Sequence, residues 1–253
     1  MIRHDYLEEY IADLLNVTSL KDYCPNGLQV EGKKNIAKIV AGVSLNSELI
    51  EKAIELSADA IFVHHGIFWY KEESVLKGVK KQRLEMLLKH NINLFAYHLP
   101  LDIDKTYGNN KLLGDALGWD ITTYFPLFNM QDLGVMAELP EVQSVSTIFQ
   151  HLAKTLDREP MHIPTKVDSE IRKVAWCTGA AEDGIECAAK LGADAYMSGE
   201  VSERTYHLAR ELGIHYFAIG HHASECYCVR ALGEHLSQKF NLEYKFLNVY
   251  NPI

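Results

Sequence analysis

The chain has 253 residues, of which 47% are hydrophobic and 23% charged, and its formal net charge is -9 at pH 7. This is the profile of a globular protein with a sizeable core. The negative charge argues against broad electrostatic binding to nucleic acid, and no apolar run reaches the length that spans a membrane.

The five cysteines show no spacing that is typical of a disulfide framework. We therefore expect reduced thiols and a cytoplasmic location. Cys226 and Cys228 form a CxC pair that could ligate a soft metal, but without a second pair ordinary packing is the simpler interpretation.

In chain order, the first 15 residues, MIRHDYLEEYIADLL, predict an amphipathic helix rather than a signal peptide. The stretch PNGLQVEG (25–32) then predicts a turn followed by a short strand. The turn can be purely structural, or Asn26 and Gly27 can let the backbone approach a ligand.

Two segments of the chain repeat each other. Residues 39–66 and 174–201 align without a gap, and each predicts a strand, a helix and a second strand. This βαβ pattern is typical of a parallel sheet covered by helices. A further helix follows in each half, over 80–92 and 203–214, and each half then predicts a third strand.

The repeat predicts an α/β fold of two similar βαβ-based lobes, related by a pseudo-twofold repeat, with a metal site in the cleft between them. We place the first lobe at 1–125, a connecting segment at 126–170 and the second lobe at 171–253, all in one compact body. The connecting segment carries four prolines and one predicted helix, VSTIFQHLAKTL.

Histidines and carboxylates collect where the predicted strands end, which is the edge where parallel sheets bind ligands. These residues are His64, His65, His98, Asp102, Glu200, His221, His222 and Glu225. His98 and His221 are each followed four residues later by a carboxylate. Imidazoles with carboxylates suit divalent Zn, Mn, Fe or Co, and adjacent histidines can each serve a different ion. A single such histidine can also be a hydrogen-bonded structural residue.

Four stretches together resemble the Nif-three-like family, whose members are often named type 2 homologues of GTP cyclohydrolase I. They are PNGLQVEG (25–32), VHHGIFW (63–69), HLPLD with GNN (98–110), and GEVSERTYH with GHHASE (199–225). The resemblance covers essentially the whole chain and is closest to the short bacterial form without an inserted domain.

The resemblance implies two divalent metal ions per subunit, bound by His64, His65, Asp102, His221 and Glu225. It also implies a ring-shaped homohexamer, a toroid whose metal sites face an internal cavity. His98 and Glu200 are the candidates for proton transfer near the metals, and His207 is a weaker one.

These features predict a dinuclear-metal hydrolase with a small-molecule substrate. The family name implies a GTP cyclohydrolase-like opening of the guanine imidazole ring, in which a metal-bound hydroxide attacks C8 while His98 or Glu200 moves protons. The alternative is a non-catalytic metal-binding or metal-handling ring protein, or a DNA-associated interaction protein. The net charge disfavours nucleic acid as a partner, and the basic stretch KGVKKQR (77–83) is typical of a solvated helix face.

Overall fold

A computed structural model describes residues 1–73, 75–165 and 170–253 of the chain. It divides into two compact units, which are described separately below. Unit 1 comprises Met1–Tyr107 and Cys226–Tyr250, and unit 2 comprises Gly108–Glu225 and Asn251–Ile253. The fold is α/β, as the sequence predicts. None of the helices in the described ranges combines the length and apolarity needed to cross a bilayer.

Unit 1 is built on a five-stranded sheet. In spatial order its strands are β13 (Glu243–Phe246), β4 (Lys38–Ser44), β5 (Ala60–His65), β6 (Asn93–Ala96) and β2 (Gly27–Val30). Neighbouring strands from β13 to β6 are parallel, while β2 runs antiparallel to β6. A short antiparallel pair joins β1 (Ile2–Arg3) to β3 (Asn35–Ile36).

Helices cover both faces of this sheet, and side chains alternate between the two faces along each strand. On one face, strand residues such as Ala41 and Phe62 pack with helices α1 (His4–Leu14) and α9 (His221–Phe240). On the other face, residues such as Val40 and Ile61 pack with α2 (Ser47–Glu55) and α3 (Gly78–His90). Burial on both faces explains why these strands are continuous apolar runs.

Unit 2 contains a six-stranded mixed sheet. Its order is β7 (Ile121–Leu127), β8 (Met130–Gln143), β10 (Ile171–Cys177), β11 (Ala195–Ser198), β12 (His215–Ala218) and β9 (Met161–Ile163). The predicted strands β10, β11 and β12 are parallel to one another. The helices of this unit are α5 (Asn109–Leu117), α6 (Val145–Leu156), α7 (Ile185–Lys190) and α8 (Glu203–Leu212).

The division into units differs from the predicted lobe boundaries in three places. Residues 108–125, predicted as the end of the first lobe, belong to unit 2. The segment 126–170, predicted as a connection, contributes β8 and β9 to the sheet of unit 2. The last strand, β13, pairs with β4 of unit 1 rather than extending the sheet of unit 2. These differences reflect which strands pair with one another, and local sequence patterns do not record strand pairing.

Candidate metal centre

The two adjacent histidines lie at the carboxyl end of β5 in unit 1, as predicted. His64 is fully buried, and its Nδ1 lies 3.0 Å from the carbonyl oxygen of Tyr97. Because a carbonyl only accepts, Nδ1 must donate, and Nε2 of the neutral ring then carries the lone pair that is available to a metal ion. That Nε2 lies 3.5 Å from Oδ2 of Asp102, which is also buried.

His65 is oriented by a different neighbour. Its Nδ1 is 2.8 Å from the hydroxyl oxygen of Ser44, the residue opposite it on the adjacent strand β4. The rings of His64 and His65 have centroids 4.5 Å apart. The ring of His98 is 5.0 Å from His64 and 5.5 Å from His65. One ring nitrogen from each of these three histidines lies within 4.8 Å of the others.

His98 is held by residues that the sequence did not identify as partners. Its Nδ1 is 2.9 Å from Oδ1 of Asp22, and its backbone N–H donates to Oδ1 of Asn26 at 2.7 Å. Asn26 in turn donates to the other oxygen of Asp22 at 2.9 Å. The turn at Pro25–Gly27 therefore supports His98 through the Asn26 side chain, an arrangement that neither interpretation of this turn included.

Helix α4 (Leu99–Ile103) begins directly after His98 and carries Asp102. Asp22 accepts the backbone N–H of Leu99 at 2.9 Å, so one carboxylate orients both the histidine and the first turn of this helix. Burial raises the pKa of Asp22, but the hydrogen bond and charge of His98 outweigh it and the pKa lies below its usual value. The ionised carboxylate can only accept, so Nδ1 of His98 carries the proton.

Cys24 adds a thiol to this side of the centre. It is buried, and together with Asp22 and His98 it forms a group compatible with a metal ion. Burial, reinforced by the charge of Asp22, raises the pKa of the thiol to about 12. The thiol is therefore protonated at neutral pH, which makes it a poor ligand unless a metal displaces the proton.

Unit 2 brings together its own three predicted residues. His221 begins α9, and its Nδ1 lies 2.6 Å from Oε1 of Glu200. Its Nε2 lies 3.1 Å from Oε2 of Glu225, one turn along the same helix. Burial lowers the pKa of His221, but the hydrogen bonds and charges of Glu225 and Glu200 outweigh it and raise the pKa to about 9. The two carboxylates thus favour positive charge at this position.

A glycine makes room for the Glu225 carboxylate. Gly179 has a φ of +72°, and a Cβ atom built there would lie 2.3 Å from Oε1 of Glu225. Its backbone N–H donates to the hydroxyl of Ser224 at 3.3 Å. Gly179 follows β10, and no spacing rule in the sequence links it to a residue 46 positions later.

His207 and His222 have hydrogen-bond partners outside the histidine group of unit 1. His207 is exposed on α8, with Nε2 2.9 Å from Oε1 of Glu203 in the preceding turn. His222 follows His221 in α9, and its backbone N–H donates to the carbonyl of Ile253. Cys226 and Cys228 belong to the hydrophobic core of unit 1, which agrees with the packing interpretation of the CxC pair.

Comparison with known proteins identifies the family. The model of Duf34/NIF3 (NGG1p interacting factor 3) matches residues 2–252. The chain belongs to the Duf34/NIF3 family. The GTP cyclohydrolase 1 type 2 homolog of Vibrio cholerae is 43% identical over 98% of each chain. The protein of the same name in Escherichia coli K12 is 40% identical, and the match covers 99% of this chain and 100% of that protein.

Solved structures of similar proteins share the fold. Protein ybgI, described as of unknown function, has a TM-score of 0.94 and 40% identity, and the match covers both chains fully. The protein TTHA1606 of Thermus thermophilus has a TM-score of 0.86 and 30% identity, again over both full chains. The family predicted from four short motifs is thus confirmed over the whole chain.

Proposed function

We propose that the protein is a metal-dependent hydrolase that uses two divalent ions. His64, His65 and Asp102 of unit 1 and His221 and Glu225 of unit 2 would hold the ions. The observation that carries the proposal is the group of imidazoles in unit 1, in which His64 is fully buried. Its Nδ1 is fixed by the Tyr97 carbonyl, and its Nε2 lies near Asp102. Such fixed histidine and carboxylate donors fit Zn, Mn, Fe or Co.

The ligands of unit 2 complete the donor set in this proposal. Glu225 is followed directly by Cys226, where the chain returns to unit 1. A raised pKa at His221 supports the assignment, because an environment that stabilises an imidazolium also favours a cation bound to the same nitrogen. Five protein ligands for two ions leave coordination positions for water and substrate, as catalytic sites require.

Bound divalent ions polarise a substrate and lower the pKa of a water molecule to near neutrality. The residues of the chain then orient the substrate and move protons. His98 has Nδ1 hydrogen-bonded to Asp22, so Nε2 is the nitrogen that accepts or delivers a proton. Glu200 lies against His221 and is partly exposed, which allows it to exchange protons with solvent.

The substrate we infer is a small molecule, and GTP is the first to test because relatives carry the name GTP cyclohydrolase 1 type 2 homolog. Opening of the guanine imidazole ring would release formate. We expect metal-loaded protein to release formate from GTP, His98→Ala to be about 100-fold slower, and His207→Ala to match the parent. Absence of formate from the loaded parent would remove the cyclohydrolase assignment.

A broader substrate screen would separate this assignment from hydrolysis in general. Turnover of a different ester or amide that depends on metal and on His98 would retain the hydrolase proposal. A protein that binds two ions but turns over nothing would instead support the metal-handling alternative. The homohexamer implied by the family resemblance is a further part of the proposal, and the solution mass of the metal-loaded protein tests it.

A further inference from the structure

Unit 1 contains a pocket of about 370 Å³ next to the histidine group. Gly66 and Trp69, which follow the histidine pair in the chain, line one side of it. The ring of Trp69 lies 6.0 Å from that of His65 and 5.2 Å from that of His98, with centroids as the reference points. A ligand in this pocket would therefore share a wall with the candidate metal centre. The volume is in the range of small-molecule sites.

Three cations on helix α3 line the same pocket. Lys77, Lys80 and Arg83 are three residues apart and therefore lie along one side of the helix. The stretch 77–83 is solvated at Lys77, whose side chain is 72% exposed, but the side chain of Lys80 is only 18% exposed. Its ammonium lies 5.0 Å from the centre of the Phe68 ring. Lys80 is thus largely enclosed in the pocket wall, while Lys77 lies at its exposed edge.

Arg83 provides the sharpest indication of what the pocket binds. Its Nε is buried and has no hydrogen-bond acceptor among the residues that the structure describes. Arg83 lines the pocket and forms no ion pair with any described carboxylate, so its positive charge is available to an anionic ligand. Guanidinium groups match the geometry of phosphate oxygens particularly well.

The start of α3 adds to the positive potential. Lys77 is its N-cap residue, no side chain caps the first turn, and that turn contains no acidic residue. The backbone N–H groups of the first turn and the helix dipole therefore favour an anion. Lys77, Val79 and Lys80, at the start of the helix, all line the pocket.

Two carboxylates also line the pocket, and both are paired with the lysines. Glu72 lies 2.9 Å from Lys80, and Glu73 lies 3.0 Å from Lys77. The side chains of Glu72 and Glu73 are 49% and 74% exposed. The Glu73–Lys77 pair is exposed and therefore weak, and Glu72 of the other pair is half-exposed, so a doubly charged ligand can displace both carboxylates from the lysines. Arg83 is not engaged by either carboxylate.

We propose that this pocket binds the phosphoryl group of the substrate. Arg83, Lys80 and the first turn of α3 would bind the phosphoryl oxygens, while the organic part extends past Trp69 towards His65 and His98. The inference rests on the proposed function for the reaction at the metal centre, and it assigns the substrate to the phosphorylated small molecules.

Calorimetric titration of metal-stripped protein with pyrophosphate tests the site directly. We expect binding by the parent, and affinities weakened about tenfold or more by Arg83→Gln and by Lys80→Gln, because each loses a charge-assisted hydrogen bond. Lys89→Gln is the matched control, since Lys89 is exposed in the last turn of the same helix and does not line the pocket. It should bind pyrophosphate within about twofold of the parent.

The matched pair GMP and guanosine tests whether the phosphoryl group is what the pocket recognises. GMP should bind at least about tenfold more tightly than guanosine, and Arg83→Gln should abolish the difference. Equal affinities, no binding of pyrophosphate by the parent, or equal losses in Lys89→Gln would overturn the proposal. Circular dichroism checks that Arg83→Gln is folded. If it is misfolded, the affinity of Lys80→Gln for pyrophosphate and GMP decides the proposal.

Elemental analysis of the same variants separates this proposal from the metal proposal. Arg83→Gln and Lys80→Gln should retain the metal content of the parent, because neither residue is a proposed ligand. A protein that binds pyrophosphate without taking up metal would keep the phosphoryl site and lose the hydrolase assignment. A protein that takes up metal but binds neither pyrophosphate nor GMP would keep the hydrolase assignment and lose the phosphoryl site.

Discussion

The orientation of His98 depends on two side chains far away in the sequence. Asp22 accepts from its imidazole and Asn26 accepts from its backbone, and the two residues are hydrogen-bonded to each other. Such supporting contacts fix the tautomer and the position of a histidine, and their loss commonly costs about 10- to 100-fold in metal affinity or activity. Asp22 is therefore the residue through which the proton-transfer role of His98 can be tested.

We predict that Asp22→Asn destabilises the protein by about 1–2 kcal/mol. An amide cannot reproduce the acceptor set of the carboxylate, which also receives the backbone N–H groups of Tyr23 and Leu99. The proton of His98 should shift from Nδ1 towards Nε2, as measured by ¹⁵N chemical shifts in histidine-labelled protein. The unfolding free energy follows from denaturant titration.

Asp104→Asn is the matched control for this variant. Asp104 also accepts two backbone N–H groups, those of Thr106 and Tyr107, through a single oxygen that asparagine retains. This variant should leave the tautomer of His98 unchanged. A histidine that stays protonated at Nδ1 in Asp22→Asn would show that Asp22 does not set the tautomer.

A second prediction concerns the glycine beside Glu225. Gly179→Ala should destabilise the protein by about 2–3 kcal/mol. Alanine would be strained at the positive φ of this position, and its Cβ would clash with the Glu225 carboxylate. Gly213→Ala is its control, since Gly213 has a φ of +70° but no atom within 4 Å of an added Cβ. The control should lose about 1 kcal/mol and no metal. Equal losses of stability and metal in both variants would refute a specific role for Gly179.

Some site residues could be predicted from sequence and others could not. His64, His65, His98 and Asp102 follow predicted strands, and the structure places them together within unit 1. Glu200, His221 and Glu225 were found in the same way and are adjacent in unit 2. Asp22, Ser44 and Gly179 were missed, because each acts through a contact to a residue distant in the chain.

At the level of elements, hydrophobic periodicity located the helices and parallel strands of the internal repeat well, together with one helix outside it. The helix predicted over 145–156 is α6 with the same limits, and Ser144 caps it by accepting the N–H of Thr147 at 3.1 Å. The sequence patterns did not predict the helices α4, α5 and α9 or the strands β7, β8, β9 and β13. Pro140 lies within β8, and proline argues against a central strand, so the strand was interpreted as part of a connection.

Strand β9 also carries a pH-sensitive contact. The ring of His162 stacks on Phe217 with centroids 4.7 Å apart, and its Nε2 is 3.1 Å from Nδ1 of His215 on β12. Burial, and secondarily the charge of His215, lowers the pKa of His162 to about 4. The folded protein therefore keeps this ring neutral at pH values where the unfolded chain, with a pKa of 6.5, binds a proton.

The sign follows from linkage, because stability rises with pH wherever the unfolded state binds more protons than the folded state. The contribution of His162 to the free energy of unfolding is fully present above pH 6.5 and is lost as the pH falls towards 4. We predict that the parent loses roughly 1 kcal/mol more stability between pH 7 and 5 than His162→Gln does. Denaturant unfolding at the two pH values measures this, with His207→Gln as the control that should behave as the parent. An equal loss in parent and His162→Gln would contradict the prediction.

At the level of the whole molecule, the proposal requires ligands from both units. In that proposal, unit 1 would supply the histidine pair and Asp102, and unit 2 would supply His221 and Glu225. If each unit bound an ion by itself, removing a ligand from one would leave the other ion in place. If the ions are shared, a single substitution in either unit should affect both.

The most direct test is the metal content of the purified protein after loading with Mn, Zn, Fe or Co, measured by elemental analysis. We predict about two ions per chain in the parent and in His207→Ala, and loss of both in His64→Ala and in Glu225→Ala. Loss of metal in His64→Ala alone would confine binding to unit 1. A parent that takes up no metal under any loading condition would show that the histidines are structural and would contradict the proposed hydrolase.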